Sequence, residues 1–257
     1  MSFLNKNIVR LSIFTFGLFA FQAQSAVFNP LEDVMTSSFF QGNNLVRGYS
    51  GDGRNVHRVS TNNPFGTSGA ETIYLDFSDS DFSSFSGSPV SATLTLTSTS
   101  GGFFADAGPG NPFTVSAHGV DADPLASITD DTNPGGPIAW NDFYANNILA
   151  ASAAASTVIS SFGLVTFDIS ALVNDWISGS NSFQFVAMTG LNDTSGNEFL
   201  HGFLNNTENP GASFLEVSAV PLPAAAWLFI SAVVGTLGIG RMRRKSTAAD
   251  ESLATAA

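Results

Sequence analysis

The chain has 257 residues, a formal net charge of −12 and no cysteine. Without cysteine, a disulfide-stapled fold and thiol chemistry are both excluded. Nine Lys and Arg against 21 Asp and Glu leave no broad basic surface, so nucleic acid is excluded as an expected partner.

The first segment reads as a leader. Lys6 and Arg10 stand before an apolar run at 11–21. That run fits the ~7–15-residue apolar region of a secretory signal and is shorter than the ~20 residues that span a bilayer. Ala23 and Ser25 place small residues at the spacing a signal peptidase accepts. Cleavage is expected after Ser25, with Ala26 as the alternative, making 1–25 a signal peptide and 26–219 the exported domain. Arg47, Arg54 and Arg58 are that domain's three cations; they face 19 acids, so its net charge is −16. Such a surface keeps exported molecules apart and suits divalent cations or hydroxyl-rich ligands.

Residues 31–63 are polar and turn-rich, with weak strands at best. Strict alternation of apolar residues with polar ones, mostly Ser and Thr, then marks half-buried antiparallel strands at 71–77, 90–97, 113–120 and 163–169. Ile73, Leu75 and Phe77 share one face of the first of these. Further strands are expected at 182–188 and 212–217, and turn-rich clusters at 100–112, 121–137, 192–197 and 205–211 separate them. Helix is scarce. The Ala-rich 148–160 reads as a short helix or an irregular loop. Residues 170–177 read as a helix capped by Ser170 and stopped by Gly179, with Leu172, Val173 and Trp176 on one face. The expected fold is all-β, a jelly-roll-like two-sheet antiparallel β-sandwich between the signal peptide and a C-terminal transmembrane helix.

At the far end, 224–240 is apolar and approaches the length of a membrane span. Arg241, Arg243, Arg244 and Lys245 stop it, and the positive-inside bias puts this cluster and the polar tail 246–257 in the cytoplasm. Val220-Pro221-Leu222-Pro223, an apolar helix and a basic end, in that order, resemble the PEP-CTERM sorting signal of Gram-negative bacteria. The resemblance covers 220–245. It implies transient anchoring in the inner membrane, cleavage near the Pro motif by an exosortase, and release to the cell surface or extracellular matrix. Leu222 stands where that family has its eponymous Glu, and the tail runs on past the basic cluster.

Three stretches of the exported domain carry a second resemblance: YLDFSDSDFSSFSGSPVSATLTL, VTFDISALVNDWISGSNSFQFVAM and EFLHGFLNNTENPGASFLEV. In this order they resemble the DNRLRE-type β-sandwich, a jelly-roll module akin to carbohydrate-binding modules, over much of 71–217. Asn206-Thr207-Glu208 and Asn209-Pro210 depart from that family's pattern of a small residue before its Glu and an Arg-Pro pair.

Asp76 and Asp168 each precede a hydroxyl residue by two positions at a strand end, the place where Asp caps backbone amides. Trp176 shares the face of Leu172 and Val173, which makes it a core residue before it is a sugar platform. Asp121, Asp123, Asp130 and Asp131 crowd one loop, and oxygen-rich flexible loops hold Ca²⁺. These four form the candidate calcium ligands, although the spacing is not that of an EF-hand; Asp79 and Asp81 form a smaller pair. His57, His118 and His201 are isolated, and neither H-E-x-x-H nor G-x-S-x-G occurs. Arg54, His57 and Arg58 read either as a lyase constellation or as an exposed loop. The expectation is a non-catalytic exported protein of the cell surface or matrix that binds exopolysaccharide, the sugar step resting on family likeness. The alternatives are a passive matrix component bridged by calcium and, behind it, a polysaccharide lyase or glycosidase.

Overall fold

A computed structural model describes residues 24–36, 45–46, 56–60, 71–101, 108, 110–128, 143, 146–148, 152–190 and 200–220. The strands in them are β1 (Ser25–Phe28), β2 (Glu32–Thr36), β3 (Leu45–Val46), β4 (Val56–Ser60), β5 (Thr72–Asp76) and β6 (Val90–Ser100). They continue with β7 (Phe113–Gly119), β8 (Ala155–Ile159), β9 (Gly163–Asp168), β10 (Phe185–Thr189), β11 (Leu200–Leu204) and β12 (Ser213–Ala219). Two short helices, α1 (Pro124–Ser127) and α2 (Ser170–Ser178), and a 3-10 turn at Ser83–Phe85 complete the set.

The strands form two antiparallel sheets. One runs β1-β12-β6-β11-β4 with β9 also on β6; the other runs β3-β2-β5-β10-β7-β8. Ser98 of β6 pairs with Gly163 of β9 and with Phe203 of β11. A strand residue has only two sides, so β11 and β12 lie end to end along one side of β6, with β9 on the other. A bond from Thr97 N–H to the Ala212 carbonyl, 2.9 Å, bridges the junction. Backbones crowd where β4, β6 and β11 meet: a Cβ on Gly202 would stand 2.6 Å from the Ser100 carbonyl oxygen.

Alternation accounts for the main core. Ala92, Leu94 and Leu96 of β6, Val165 and Phe167 of β9, and Leu215 and Val217 of β12 turn inward. They meet Ile73 and Leu75 of β5, Val115 and Ala117 of β7, and Val186 and Met188 of β10. The expectation of half-buried strands fails for the second sheet, because all five residues of β5 and of β10 are buried. Its outer face is covered: Val34, Tyr74, Phe185 and Ala187 form a second core with Val120, Ile128, Phe143 and Ile148. Tyr74 meets Phe143 edge-on, with ring centroids 5.8 Å apart. Part of the turn-rich 121–137 therefore packs as a lid, through Ile128 and the flanking α1.

Two further expectations are corrected. The 148–160 segment yields a strand, β8, where helix or loop was expected; Thr157, Val158 and Ile159 are β-branched and pair with β7. In the polar 31–63, β2 and β4 form because Val34, Met35, Val56 and Val59 are buried. Helix α2 lies where expected, but Ser170 does not cap it. Asp168 Oδ1 instead accepts from the Ser170 N–H at 3.1 Å, while Ser170 Oγ accepts from the Ala92 N–H at 2.9 Å. Asn174 bonds both the N–H and the carbonyl of Val90 at 3.0 Å, which pins α2 to the start of β6. Gly179 ends the helix at φ +75°, the left-handed conformation that glycine adopts without steric cost.

Among the described residues no helix is long and apolar enough to cross a membrane. The span expected at 224–240 and the leader through residue 23 lie outside the described residues.

Trp176 is 5% exposed and packs 6.2 Å from Phe77 and 5.9 Å from Phe82, centroid to centroid. Replacing it with Ala is expected to cost about 3–5 kcal/mol in urea unfolding. An unchanged midpoint and slope would contradict its place in the core.

Candidate functional site

The residues singled out by sequence fall in four places. The first is the edge of the first sheet. Ser25 pairs with Ser218 and Ala26 with Val217, so the expected signal-peptide junction lies inside β1, against the last strand. The Ala219 N–H donates to the Gln24 carbonyl at 2.8 Å, and Ser218 Oγ donates to Ser25 Oγ at 3.2 Å. On the other side, the Val220 N–H donates to the Pro89 carbonyl at 2.9 Å. The stretch expected from the sequence to be a sorting motif thus begins, at Val220, directly after the end of β12. Pro221, Leu222, Pro223 and the cluster Arg241, Arg243, Arg244 and Lys245 lie outside the described residues.

The second place is the set of turn acids, which chiefly bind the protein's own backbone. Asp76 Oδ1 accepts from the Ser78 N–H at 2.8 Å, and Asp81 Oδ1 from the Ser83 N–H at 2.9 Å. Hydrogen bonds from the side chain and backbone of Ser83 hold the Asp81 carboxyl below its ordinary range, and Ser170 does the same for Asp168. Of the four candidate calcium ligands, Asp123 caps α1, its Oδ1 accepting from Leu125 and Ala126 N–H at 2.8 and 3.1 Å. Asp121 is exposed beside it, and Asp130 and Asp131 lie outside the described residues. Among the described residues no group of three or more His, Asp or Glu is placed to hold a metal.

The third place is a buried polar centre between the sheets. Asp33 on β2 and His57 on β4 are 2% and 1% exposed. His57 Nε2 lies 3.1 Å from the Asp33 carbonyl oxygen and 3.6 Å from Asp33 Oδ2. A carbonyl can only accept, so Nε2 carries the proton. The turn between β11 and β12 completes the centre: the Asn206 N–H donates to Asp33 Oδ2 at 2.6 Å, and Thr207 Oγ1 to Oδ1 at 3.4 Å. Burial alone would raise the Asp33 carboxyl, but the hydrogen bond and charge of His57 and the bonds from Asn206 and Thr207 outweigh it and hold the group below its usual range. His57 is thus a core residue here, not one of an exposed loop. The centre escaped sequence reasoning because its parts are 24 and 173 residues apart.

The fourth place is the β8–β9 connection, which passes from the second sheet to the first. Val158, Phe162 and Leu164 are 65%, 54% and 70% exposed, and the exposed Ser160 and Ser161 form its turn with Phe162. Phe162 stacks on His201 at 5.9 Å and 28°. His201 is itself buried and bonded to Ser98 Oγ at 2.6 Å, which fixes the ring beneath Phe162. Sequence reasoning weighed Trp176 as the aromatic for sugar contact; the structure buries Trp176 and exposes Phe162 instead.

Fold and surface together define a mostly β, two-sheet antiparallel sandwich with a polar centre sealed inside it and an apolar β8–β9 connection exposed. Neither the family models nor the curated proteins include a match to the chain.

The carboxylate at Asp33 stabilises the fold at neutral pH. Its folded pKa lies below the unfolded value, so the contribution is present above about pH 4 and is lost as pH falls through the lower folded value. Asp33→Ala is expected to cost about 3–5 kcal/mol at pH 7, because it strips a buried group of its partner. Asp33→Asn should cost less, since its amide oxygen still accepts from Asn206, and should flatten the stability profile below about pH 4. Unfolding midpoints from pH 7 down through that acid range check both. An equally steep profile in Asp33→Asn would assign the acid sensitivity to other carboxylates.

Proposed function

We propose that the chain is a non-catalytic, exported protein of the cell surface or extracellular matrix that associates with exopolysaccharide through a jelly-roll-like sandwich. A signal peptidase removes 1–25. A helix at about 224–240 then anchors the domain in the inner membrane until an exosortase-type protease cuts near Val220–Pro223. The observation that carries this reading is the β1–β12 ladder, which brings the two expected processing points to one sheet edge. A domain joined to the membrane at both ends needs its ends together on one side. Mass spectrometry of the extracellular protein is expected to find an N-terminus at Ala26 and a C-terminus close to Val220. Extracellular protein that keeps Arg241 to Lys245 would overturn the sorting step.

The exposed β8–β9 connection supports the polysaccharide step. An aromatic ring held flat by a buried neighbour, with serine hydroxyls beside it, suits the apolar face and the hydroxyls of a sugar ring. The net charge of −16 over 26–219 favours neutral over acidic glycans. Phe162→Ala is expected to lower retention on the host's isolated exopolysaccharide at least fivefold without moving the melting temperature. Unchanged retention would remove the β8–β9 connection from the binding surface.

A further inference from the structure

We propose that the solvent-facing side of the first sheet carries an extended site for a neutral polysaccharide chain, with the Phe162 turn at one end of it. The proposal rests on the polysaccharide reading above and adds to it the shape and class of the ligand. Every second residue of β6 from Ser91 points away from the core, and Ser91, Thr93, Thr95 and Thr97 are all hydroxyl residues. Their neighbours on the same face follow from the register. Thr95 stands between Phe214 of β12 and Thr166 of β9. Glu216 and Asp168 flank Thr93 in the same way, and Leu164, two residues beyond Phe162, lies opposite Thr97. Neighbouring strands are about 4.8 Å apart, and the six steps from Ser91 to Thr97 span roughly 20 Å. The result is a strip of hydroxyls three strands wide, with the half-buried Phe214 ring at its middle and the exposed Phe162 and Leu164 at its end.

Two observations point to a ligand on this strip. Thr95 is 3% exposed, yet among the described residues its hydroxyl makes no hydrogen bond. Polar groups so enclosed are ordinarily paired, and this one faces outward. The hydroxyls of Thr93 and Thr166 and the exposed Glu216 carboxylate are likewise unspent among the described residues. The second observation is charge of one sign. Glu216 and Asp168 are the only charged residues in β1, β6, β9 and β12. A second copy laid on the strip would bring like charges together, and an acidic glycan or an anionic lipid surface would be repelled as well. A neutral chain of sugars meets each group in kind, with ring faces on Phe214 and Phe162 and hydroxyls that accept from threonine and donate to Glu216. The outer face of the second sheet is already taken up by the core around Tyr74 and Phe143. Ser91 and Leu164 are exposed at the two ends of the strip, so it takes the interior of a chain rather than a terminal sugar.

The test uses the protein purified from its host and affinity electrophoresis on the host's isolated exopolysaccharide. Phe214→Ala is expected to weaken retention about fivefold, the loss of one ring contact. Because that ring is half-buried and its loss can unsettle the sheet, Thr93→Lys is the companion variant. It lays a long side chain across the strip, away from the core, and should weaken retention by a similar factor with an unchanged melting temperature. Fragments of the same polysaccharide, sorted by length, should compete better per sugar as they lengthen. The carboxymethylated polysaccharide should hold the protein less, and equal or tighter retention on that acidic form would overturn the neutral assignment. Thr93→Lys retained like wild type would overturn the strip, and a loss confined to Phe162→Ala would then leave the Phe162 turn as the whole site. Fragments that compete equally per sugar at every length would also overturn the extended site. A wild-type protein that is not retained at all would overturn the polysaccharide reading and the strip with it.

Discussion

The ladder along β6 organises the rest of the molecule. This 11-residue strand pairs with β9 on one side and with β11 and β12 in tandem on the other. Its inward Ala92, Leu94 and Leu96 carry the floor of the core, and its first three residues are clasped by Asn174 and Ser170 of α2. A sandwich without cysteine has no covalent closure, so long-range pairing must supply it. The most distant parts of the described chain meet in this way: β1 reaches β12 across 193 residues of sequence. Closing so large a loop is slow and costs entropy, and it is the burial behind the ladder that makes closure worthwhile.

The acidic composition then has a local explanation. Asp76, Asp81, Asp123 and Asp168 each turn a carboxylate back onto a backbone N–H two residues on. Asn181 does the same for Phe183. In an all-β chain each strand exit leaves unpaired amides, and a short side-chain oxygen satisfies them without another strand. Part of the negative charge therefore reflects turn chemistry rather than a ligand. Asp33 is the exception. It is buried, and its partners come from two segments distant from its own, so it joins the two sheets and the β11–β12 turn at one point.

Strand content was legible where apolar residues alternate with Ser and Thr. β5, β6, β7, β9 and β12 stand where that period predicts them, because one face of each strand meets the main core. What alternation could not reveal was the second layer over β5 and β10. Tyr74, Phe185 and Ala187 look like outward residues in a two-layer pattern, and only packing with Phe143, Ile128 and Ile148 shows why they are apolar. β2 and β4 were obscured by the buried Asp33 and His57, which read as loop polarity. β8 was obscured by its alanines, which favour helix in isolation; pairing with β7 overrides that preference. The paired ends were invisible for a different reason. Ser25 and Ala26 read as the junction between leader and exported domain, and nothing local records that they also form a strand with Ser218 and Val217.

The same ladder gives the molecule a direction. Val90, Ala219 and Ser25 lie at one end of the first sheet, whereas Ser98 pairs with Gly163 beside the β8–β9 turn at the other. The eight steps of β6 from Val90 to Ser98 correspond to roughly 27 Å at ~3.4 Å per residue. If both chain ends lead to the membrane, Phe162 is carried on the opposite end, beyond the ~8 Å over which charge is felt at physiological salt. In that arrangement a large partner of the β8–β9 turn could be met by a domain still held at its ends. An apolar ring near the membrane-proximal edge would compete with the bilayer for the same contacts. At the far end, fixed on a buried histidine, it is left to ligands that arrive from outside.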